Sequence, residues 1–349
     1  MRVTIKDVAE AAGVSPATVS RVFNGYTDIS AGTKERIMEI AKKMNYLPNA
    51  AARSLSSKNQ ITIGLVLNEL EISRKNTITS EVLMGVYNYT EQENIDFVFL
   101  ATSTMKQKNK SFQEFINEKG ISGAVVQGLK MNDPYYKEIE QANFPVAMID
   151  MVLSGQKVCN VSIDNETASA QALQVFIDHG HKAIGMVNGR KEAYVSVERE
   201  AGYIKALKKN KLPLRQEYVQ YANYNEKIAV EITRDLLTSY PEITALFYAS
   251  DLMAIGGMKA IAELGLKIPE DISIIGFDDI VLNEFLTPKL SSVGQSMETI
   301  GYEAAKKVHQ IIQGKKVEKQ VYIQHELIIR ESVGKLRSEI VEYSDNASG

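Results

Sequence analysis

TIKDVAEAAGVSPATVSRVFN, residues 4–24, reads as two short helices joined by a tight turn. Thr4 and Asp7 stand in the hydroxyl-x-x-acid arrangement of a helix start. Val8, Ala9 and Ala12 recur at helical spacing, and Gly13 sits where a left-handed C-cap closes the helix. Ser15 is a good N-cap, and Pro16 falls at the first helical position, where its missing N–H does no harm. In the second helix Val19, Val22 and Phe23 share one face at i, i+3 and i+4. Pro16, Ala17, Ser20, Arg21 and Asn24 share the opposite face, which is small and polar with one guanidinium. Solvation alone explains such a face on an arbitrary helix. The short separation, the glycine turn and the N-terminal placement point instead to a helix-turn-helix whose second helix enters a DNA major groove. Thr4, Ser15 and Thr18, with hydroxyls at the two helix starts, join the candidates for DNA contact.

The whole chain is 349 residues of ordinary soluble composition, 44% hydrophobic and 24% charged. Length suggests two or three domains. No run of 18 apolar residues occurs, which argues against a transmembrane helix. The acidic residues in MRVTIKDVAEAAG argue against a signal peptide, so the expected location is the cytoplasm, on the nucleoid when bound to DNA. A single cysteine, Cys159, fits a reducing compartment, and its apolar surroundings make it a structural thiol. The net charge of −3 hides an asymmetry. Residues 1–60 hold nine Lys/Arg against five acids, a net of +4, and the remainder carries −7. A mildly basic head on an acidic body suits a DNA-binding module attached to something that does not bind DNA, and one copy should bind weakly.

Ser30 caps a third helix over 31–44, with Ile37, Ile40, Ala41 and Met44 on one side. Three helices in under 50 residues bury one small core. In PNAAARSLSSKNQ, residues 48–60, Pro48 stops the third helix and Asn49 caps two turns at most. So short a helix forms only against a partner surface. Its lone large apolar residue, Leu55, either packs onto the following domain or wedges into a minor groove.

VTIKDVAEAAGVSPATVSRVFNG, the T-K-E-R-I third helix and YLPNAAARSL together resemble the head of the LacI/GalR family of bacterial transcription regulators. The resemblance runs nearly gap-free over about 55 residues and more loosely to about residue 334. It implies a dimer whose hinge helices pair in the minor groove, with Leu55 intercalating and Asn49 and Ala52 beside it on the DNA. It places Pro16, Ala17 and Arg21 at base-reading positions.

From Ile61 the pattern becomes strands alternating with helices. ITIGLVL, DFVFLA, GAVVQG and FPVAMID read as buried strands; the rhythm restarts near NVSIDNETA and continues through AIGMV, YVQY, ALFYA and ISIIGFD. Continuous apolar strands separated by amphipathic helices mean parallel sheets covered on both faces. The expected fold is therefore an all-α helix-turn-helix head and hinge helix, then an α/β two-lobed domain with parallel sheets, which the resemblance makes periplasmic-binding-protein-like. The expected divisions are a head at 1–47, a hinge at 48–60, an effector-binding and dimerisation body at 61–334, and a polar tail at 335–349. VYIQHELIIRES reads as one further strand after a long helix. The resemblance implies that the tail crosses back, giving lobe 1 about 61–162 plus 294–322 and lobe 2 about 163–293 plus 323–334. The polar tail lacks leucine heptads, so a dimer is expected rather than a tetramer.

Ligands of open α/β sheets bind beyond the carboxyl ends of the strands. The residues there are Asn68, Glu69, Gln127, Asp150, Asn188, Tyr224, Ser250, Asp251, Asp278 and Asp279. Carboxylates accept paired hydrogen bonds from neighbouring sugar hydroxyls, and a tyrosine ring covers a sugar's apolar face. Asp164 and Asp251 each stand at a helix start and read better as N-caps. The resemblance puts effector contact on Asp278 and Arg199 and adds Asp150, Tyr224 and Gln295; Ser250 joins the effector candidates from its place at a strand end. The loop NELEISRKNT departs from the family pattern, so nothing is carried over there. No P-loop and no basic cluster at a strand end is evident, which favours a neutral saccharide over a sugar phosphate. His179 and His181 in DHGH lack partners at metal-ligand spacing and read as a loop closing a helix. No nucleophile elbow occurs, so no enzyme, cofactor or metal is expected.

The function expected is a ligand-responsive repressor of a carbohydrate-utilisation operon, binding a palindromic DNA operator as a homodimer under control of a small sugar effector. The rivals are a purine- or other metabolite-responsive repressor of the same fold, an activator, and an exported sugar-binding protein with a spurious head.

Overall fold

The computed structural model describes residues 3–23, 26, 28–46, 61–69 and 78–336. The chain divides into two compact units, Met1–Ile61 and Thr62–Gly349.

The first unit holds α1 (Ile5–Ala12), α2 (Pro16–Phe23) and α3 (Ala31–Lys43). Thr4 and Asp7 form a reciprocal capping box, and Gly13 closes α1 at φ 64°. Ser15 accepts from the Thr18 amide at 3.1 Å at the start of α2. Ser30 does the same for Thr33 at 3.3 Å at the start of α3. The expected apolar stripes meet in one core of Val8, Ala9, Ala12, Val19, Val22, Ile37 and Ala41, with Phe23 at its margin. The hinge expected at 48–60, with Asn49, Ala52 and Leu55, lies outside the described residues, as do Asn24 and the tail beyond 336.

The second unit carries two six-stranded sheets. The first contains β1 (Thr62–Asn68), β2 (Asp96–Thr102), β3 (Gly123–Gln127), β4 (Val146–Ile149), β5 (Val158–Ser162) and β11 (Gln320–Tyr322). Their spatial order is β11-β5-β4-β3-β1-β2, all parallel. The second contains β6 (Ile184–Asn188), β7 (Val219–Tyr221), β8 (Ala245–Tyr248), β9 (Ser273–Asp278), β10 (Ser291–Gln295) and β12 (His325–Ile328). Their order is β12-β10-β9-β8-β6-β7, parallel except where β12 runs against β10. Central strands such as β3 and β4 are apolar without alternation because both faces are covered. The edge strand β2 is half-exposed.

Two details differ from the sequence expectation. VYIQHELIIRES is two strands, β11 and β12, one in each sheet. A short helix, Thr104–Asn109, precedes Phe112–Lys119. Its six residues carry no apolar period, and it rests on the Ser103 cap, which accepts from Lys106 N at 3.3 Å.

In lobe 1 the helices Ile78–Gln92 and Met297–Ile312 lie against one another. Gly85 and Gly301 set their separation. A Cβ on Gly85 would fall 1.9 Å from the Glu298 carbonyl oxygen, and one on Gly301 2.4 Å from that of Val82. Backbone meets backbone at this crossing, which only glycine permits. The C-terminal helix is thus built into the lobe begun by the first body strand.

Candidate nucleic-acid interface and ligand cleft

On the head, Pro16, Ala17 and Arg21 are exposed, and Thr18 and Ser20 half-exposed, on the side of α2 away from its core. Thr4 and Ser15 are exposed caps. The Arg21 guanidinium lies 2.8 Å from the Asp28 carboxylate and 5.5 Å from the centroid of the Tyr26 ring. Both ion-pair partners are about half exposed, so this contact is weak and exchangeable for a base or phosphate.

In the body, a cavity of about 300 Å³ opens between the lobes at the carboxyl ends of the strands, at the small end of ligand pockets. The six residues assigned to effector contact, Asp150, Arg199, Tyr224, Ser250, Asp278 and Gln295, all line it. They arrive from five strand ends and one helix. Six of the nine described non-glycine residues at positive φ stand at these ends: Glu69 (49°), Asp150 (56°), Asn223 (56°), Tyr224 (59°), Asp278 (106°) and Asp279 (53°). Such conformations cost energy and persist where surrounding structure imposes them.

Arg199 is buried in the floor. Its Nε donates to Asn165 Oδ1 at 2.9 Å and its Nη1 to the Ala249 carbonyl at 2.6 Å. Burial pushes the Asp278 carboxyl up to about 6, with Arg199 and a 2.8 Å bond from Gln295 Nε2 opposing. Burial also raises Asp150, which the Ser162 hydroxyl (2.6 Å) and Arg199 counter. The Tyr224 phenol, raised by burial, meets Ser196 Oγ at 2.9 Å. Ser250 caps the helix Asp251–Glu263, accepting from Met253 N at 3.4 Å, while still facing the cavity. Gln127 also lines the cavity, and the Oε1 atoms of Gln127 and Gln295 are buried without a hydrogen-bond partner.

The GFDD pair divides its labour. Asp278 faces the cavity, and Asp279 receives two bonds from Arg330, at 2.6 and 3.3 Å. Asp164 is the N-cap expected of it, accepting from Thr167 N at 2.9 Å. Asp251 is not. The helix starts one residue earlier than that reading required, so Ser250 takes the cap and Asp251 turns wholly inward. Asn188 also turns away from the cleft, donating to the Ser196 carbonyl at 3.0 Å and accepting from Gly189 N at 2.8 Å. His179 Nδ1 meets its own helix at the Val175 carbonyl (2.8 Å), and buried His181 sits between Thr244 and Gly334. Among the described residues no group of three or more His, Cys, Asp or Glu is placed to hold a metal. Among them, too, no helix is long and apolar enough to cross a membrane.

Sequence reading saw no basic cluster at a strand end. The fold assembles one from afar. Lys130 and Arg190, one from each lobe, line the cavity and meet Glu69 at 2.9 and 3.5 Å. The Lys130 and Thr104 bonds hold the Glu69 carboxyl below its ordinary range. Sequence reading also missed Asn165, a buried residue at the crossing between lobes. Its amide nitrogen donates to Ser162 Oγ at 3.2 Å and Glu198 at 3.3 Å, and its oxygen receives Arg199. Arg199, Asn165, Ser162 and Asp150 thus form one chain of hydrogen bonds from lobe 2 through the crossing to lobe 1. Nothing in the local pattern IDNETA marks this role.

Residues 4–49 match the family described as bacterial regulatory proteins, lacI family, and residues 173–333 match the periplasmic binding protein-like domain. The HTH-type transcriptional repressor PurR of Vibrio parahaemolyticus is 30% identical over 335 residues, spanning 95% of this chain and 99% of the relative. The chain belongs to the LacI family of bacterial regulatory proteins. It is a DNA-binding transcription regulator and not an enzyme. Two solved structures share the likeness over nearly all of the chain. The lac repressor dimer bound to operator and the anti-inducer ONPF is 25% identical with a TM-score of 0.83, covering 96% of this chain and all of that one. A complex of the transcriptional regulator CelR with cellobiose is 27% identical with a TM-score of 0.71, covering 95% of this chain and all of that one. This LacI-family chain therefore pairs a helix-turn-helix head with a two-lobed ligand-binding-type body.

Proposed function

We propose that this regulator is a cytoplasmic homodimeric repressor of carbohydrate utilisation, whose hold on a palindromic operator is set by a small sugar in the cleft. The observation that carries the effector class is the polarity of the cavity. Asp150, Asp278, Gln127 and Gln295 present acceptors, two of them buried and unpartnered, around the buried guanidinium of Arg199. A ring of hydroxyls supplies the matching donors. Among the described lining residues Tyr224 is the one aromatic side chain, enough to cover one sugar face.

Arg21 would supply a guanine contact, and Pro16 and Ala17 would shape apolar contacts to thymine methyls. The hinge at 48–60 would order on DNA with Leu55 wedged in the minor groove. Lobe closure on a sugar would change the spacing of the two hinge starts, coupling cleft to operator. The hydrogen-bond chain Arg199–Asn165–Ser162–Asp150 supports this, since a ligand on Arg199 and Asp150 holds both ends of it.

The identity with PurR keeps a purine effector as the second reading. A thermal-stability screen of the full-length protein decides between them, because a ligand at 100 times its Kd stabilises by about 2.7 kcal/mol. Mono- and disaccharides, cellobiose included, should raise the melting temperature and nucleobases should not. Stabilisation by nucleobases alone would replace the first reading with the second.

A further inference from the structure

Two cations from opposite lobes meet one carboxylate at the wall of the cleft. Lys130 stands just after β3 in lobe 1 and Arg190 just after β6 in lobe 2, and both line the cavity. Lys130 Nζ lies 2.9 Å from Glu69 Oε1, and Arg190 Nη1 lies 3.5 Å from Glu69 Oε2. Main chain joins the two loops as well, since Met131 N donates to the Glu192 carbonyl at 3.0 Å. The Lys130 turn is pinned from beneath, where the buried Asp133 carboxylate accepts from Lys130 N and from Asn68 Nδ2, each at 2.8 Å. Backbone thus fixes where the two positive side chains start. Like charges brought together this way need an anion between them.

Glu69 supplies that anion on loose terms. Its side chain is 31% exposed, and the 3.5 Å contact with Arg190 is longer than the roughly 2.7–2.9 Å of a good charged hydrogen bond. The Thr104 hydroxyl lies 2.8 Å from Glu69 Oε1 but 2.6 Å from Asp133 Oδ1, and its one proton cannot serve both. Asp133 is buried and Glu69 is not, so Glu69 is the carboxylate that can turn out into water. A third carboxylate entering with both in place would set three anions against two cations in this group of residues. Exchange, not addition, is the route for an anionic ligand.

We propose that Glu69 is a placeholder for a carboxylate carried by the effector, which is a sugar acid of the uronate type. Its carboxylate takes the place between Lys130 and Arg190, while its hydroxyls donate to the buried acceptors Gln127 Oε1 and Gln295 Oε1. This rests on the sugar reading above and narrows it, and it departs from the neutral saccharide expected when no single strand end showed a basic cluster. A flat group with two oxygens matches the observed division, one oxygen on the ammonium and one toward the guanidinium. A phosphate monoester, with its charge near −2, would leave the same residues with negative charge in excess. Because one cation comes from each lobe, the ligand's charge is gripped by both, and closure of the cleft depends on it.

The test is isothermal titration calorimetry of the full-length protein with D-glucuronate and D-galacturonate, each against its parent aldose, D-glucose or D-galactose, and with glucose 6-phosphate. At least one uronate should bind about tenfold or more tighter than its aldose, the effect of one charge-assisted hydrogen bond. In Lys130→Met and in Arg190→Met that ratio should fall to within about threefold of unity, because the neutral sugar loses no charge contact. In Glu69→Gln, which keeps the shape and removes the competing charge, the ratio should rise by about threefold or more. An aldose bound by the parent as tightly as its uronate overturns the proposal and leaves the sugar reading standing. So does a ratio that survives in both Lys130→Met and Arg190→Met, a ratio that falls in Glu69→Gln, or tighter binding of glucose 6-phosphate than of either uronate. Absence of binding by all five sugars overturns the sugar reading and this proposal together. If Lys130→Met, which takes the nearer cation from Glu69, does not fold, Arg190→Met and Glu69→Gln decide.

Discussion

The guanidinium carbon of Arg199 lies 3.6 Å from the centroid of the Phe277 ring, the residue immediately before Asp278. The arginine is therefore held by an aromatic face below and by Asn165 and Ala249 at its edge. Its orientation toward the cavity is set before any ligand arrives, which lowers the ordering cost of binding.

Arg199→Lys should be far from conservative. An ammonium cannot reproduce the flat stacking and the two edge bonds, and the variant should lose about 3 kcal/mol of unfolding free energy. Urea denaturation measures this. A loss below about 0.5 kcal/mol, the range of ordinary surface changes, would mean that Arg199 is not the anchor of the cleft floor.

Stability should fall as pH rises from about 6 to 8.5. Burial, with Asp278 adding, pushes the folded-state value of Asp251 from 3.8 up to about 8. A carboxyl raised in this way favours the folded state fully below its unfolded value, and that contribution is lost as pH climbs through the folded one. Glu198, pushed up to about 7 chiefly by burial, acts in the same direction. Urea midpoints at pH 6, 7.5 and 8.5 should decline in the parent and decline less in Asp251→Asn. Parallel profiles would show that Asp251 does not titrate in this range.

Arg21→Ala should weaken binding to the preferred duplex by about 1–3 kcal/mol and relax preference at one base pair. The duplex can be selected from a random pool and the affinity read by fluorescence anisotropy. Because the Arg21–Asp28 pair is half exposed, the melting temperature should hardly move. An equal loss on scrambled DNA would leave Arg21 as a phosphate contact.

Gly301→Ala should destabilise the body by about 1–3 kcal/mol, the cost of overpacking a tight contact. The added methyl falls on backbone, which has no rotamer to yield. Unchanged thermal stability would mean that the two helices can separate freely.

Leu55→Ala should weaken binding to the selected duplex while sparing any thermal shift caused by a sugar. Unaltered DNA affinity would return Leu55 to packing on the body.

The head was readable because its instructions are local. Val8, Ala9 and Ala12, then Val19 and Val22, then Ile37 and Ala41 recur at helical spacing, and Thr4, Gly13, Ser15 and Ser30 mark the ends. The central strands were readable because burial on both faces leaves uninterrupted apolar runs. The cleft was legible only in part. Strand ends pointed to Asp150, Tyr224, Ser250 and Asp278, and family resemblance supplied Arg199 and Gln295. What escaped depends on pairings far apart in sequence. Lys130 and Arg190 become neighbours only when two lobes face each other, and Asn165 acquires its meaning from Ser162 and Arg199. Asp251 was misjudged because a carboxylate at a helix start has two possible directions, and only the tertiary fold selects between them.

The two sheets also impose an order on biosynthesis. The first lobe begins with the strand Thr62–Asn68, yet its edge strand Gln320–Tyr322 and its helix Met297–Ile312 are encoded near the end of the chain. While the ribosome translates the second lobe, the first stays unsealed, with the Gly85 face of Ile78–Gln92 still awaiting its helical partner. Its closing contacts span more than two hundred residues, which slows folding and leaves sticky surface exposed meanwhile. A truncated messenger that stops before residue 297 would thus yield neither lobe in finished form, and no fragment with a functioning cleft.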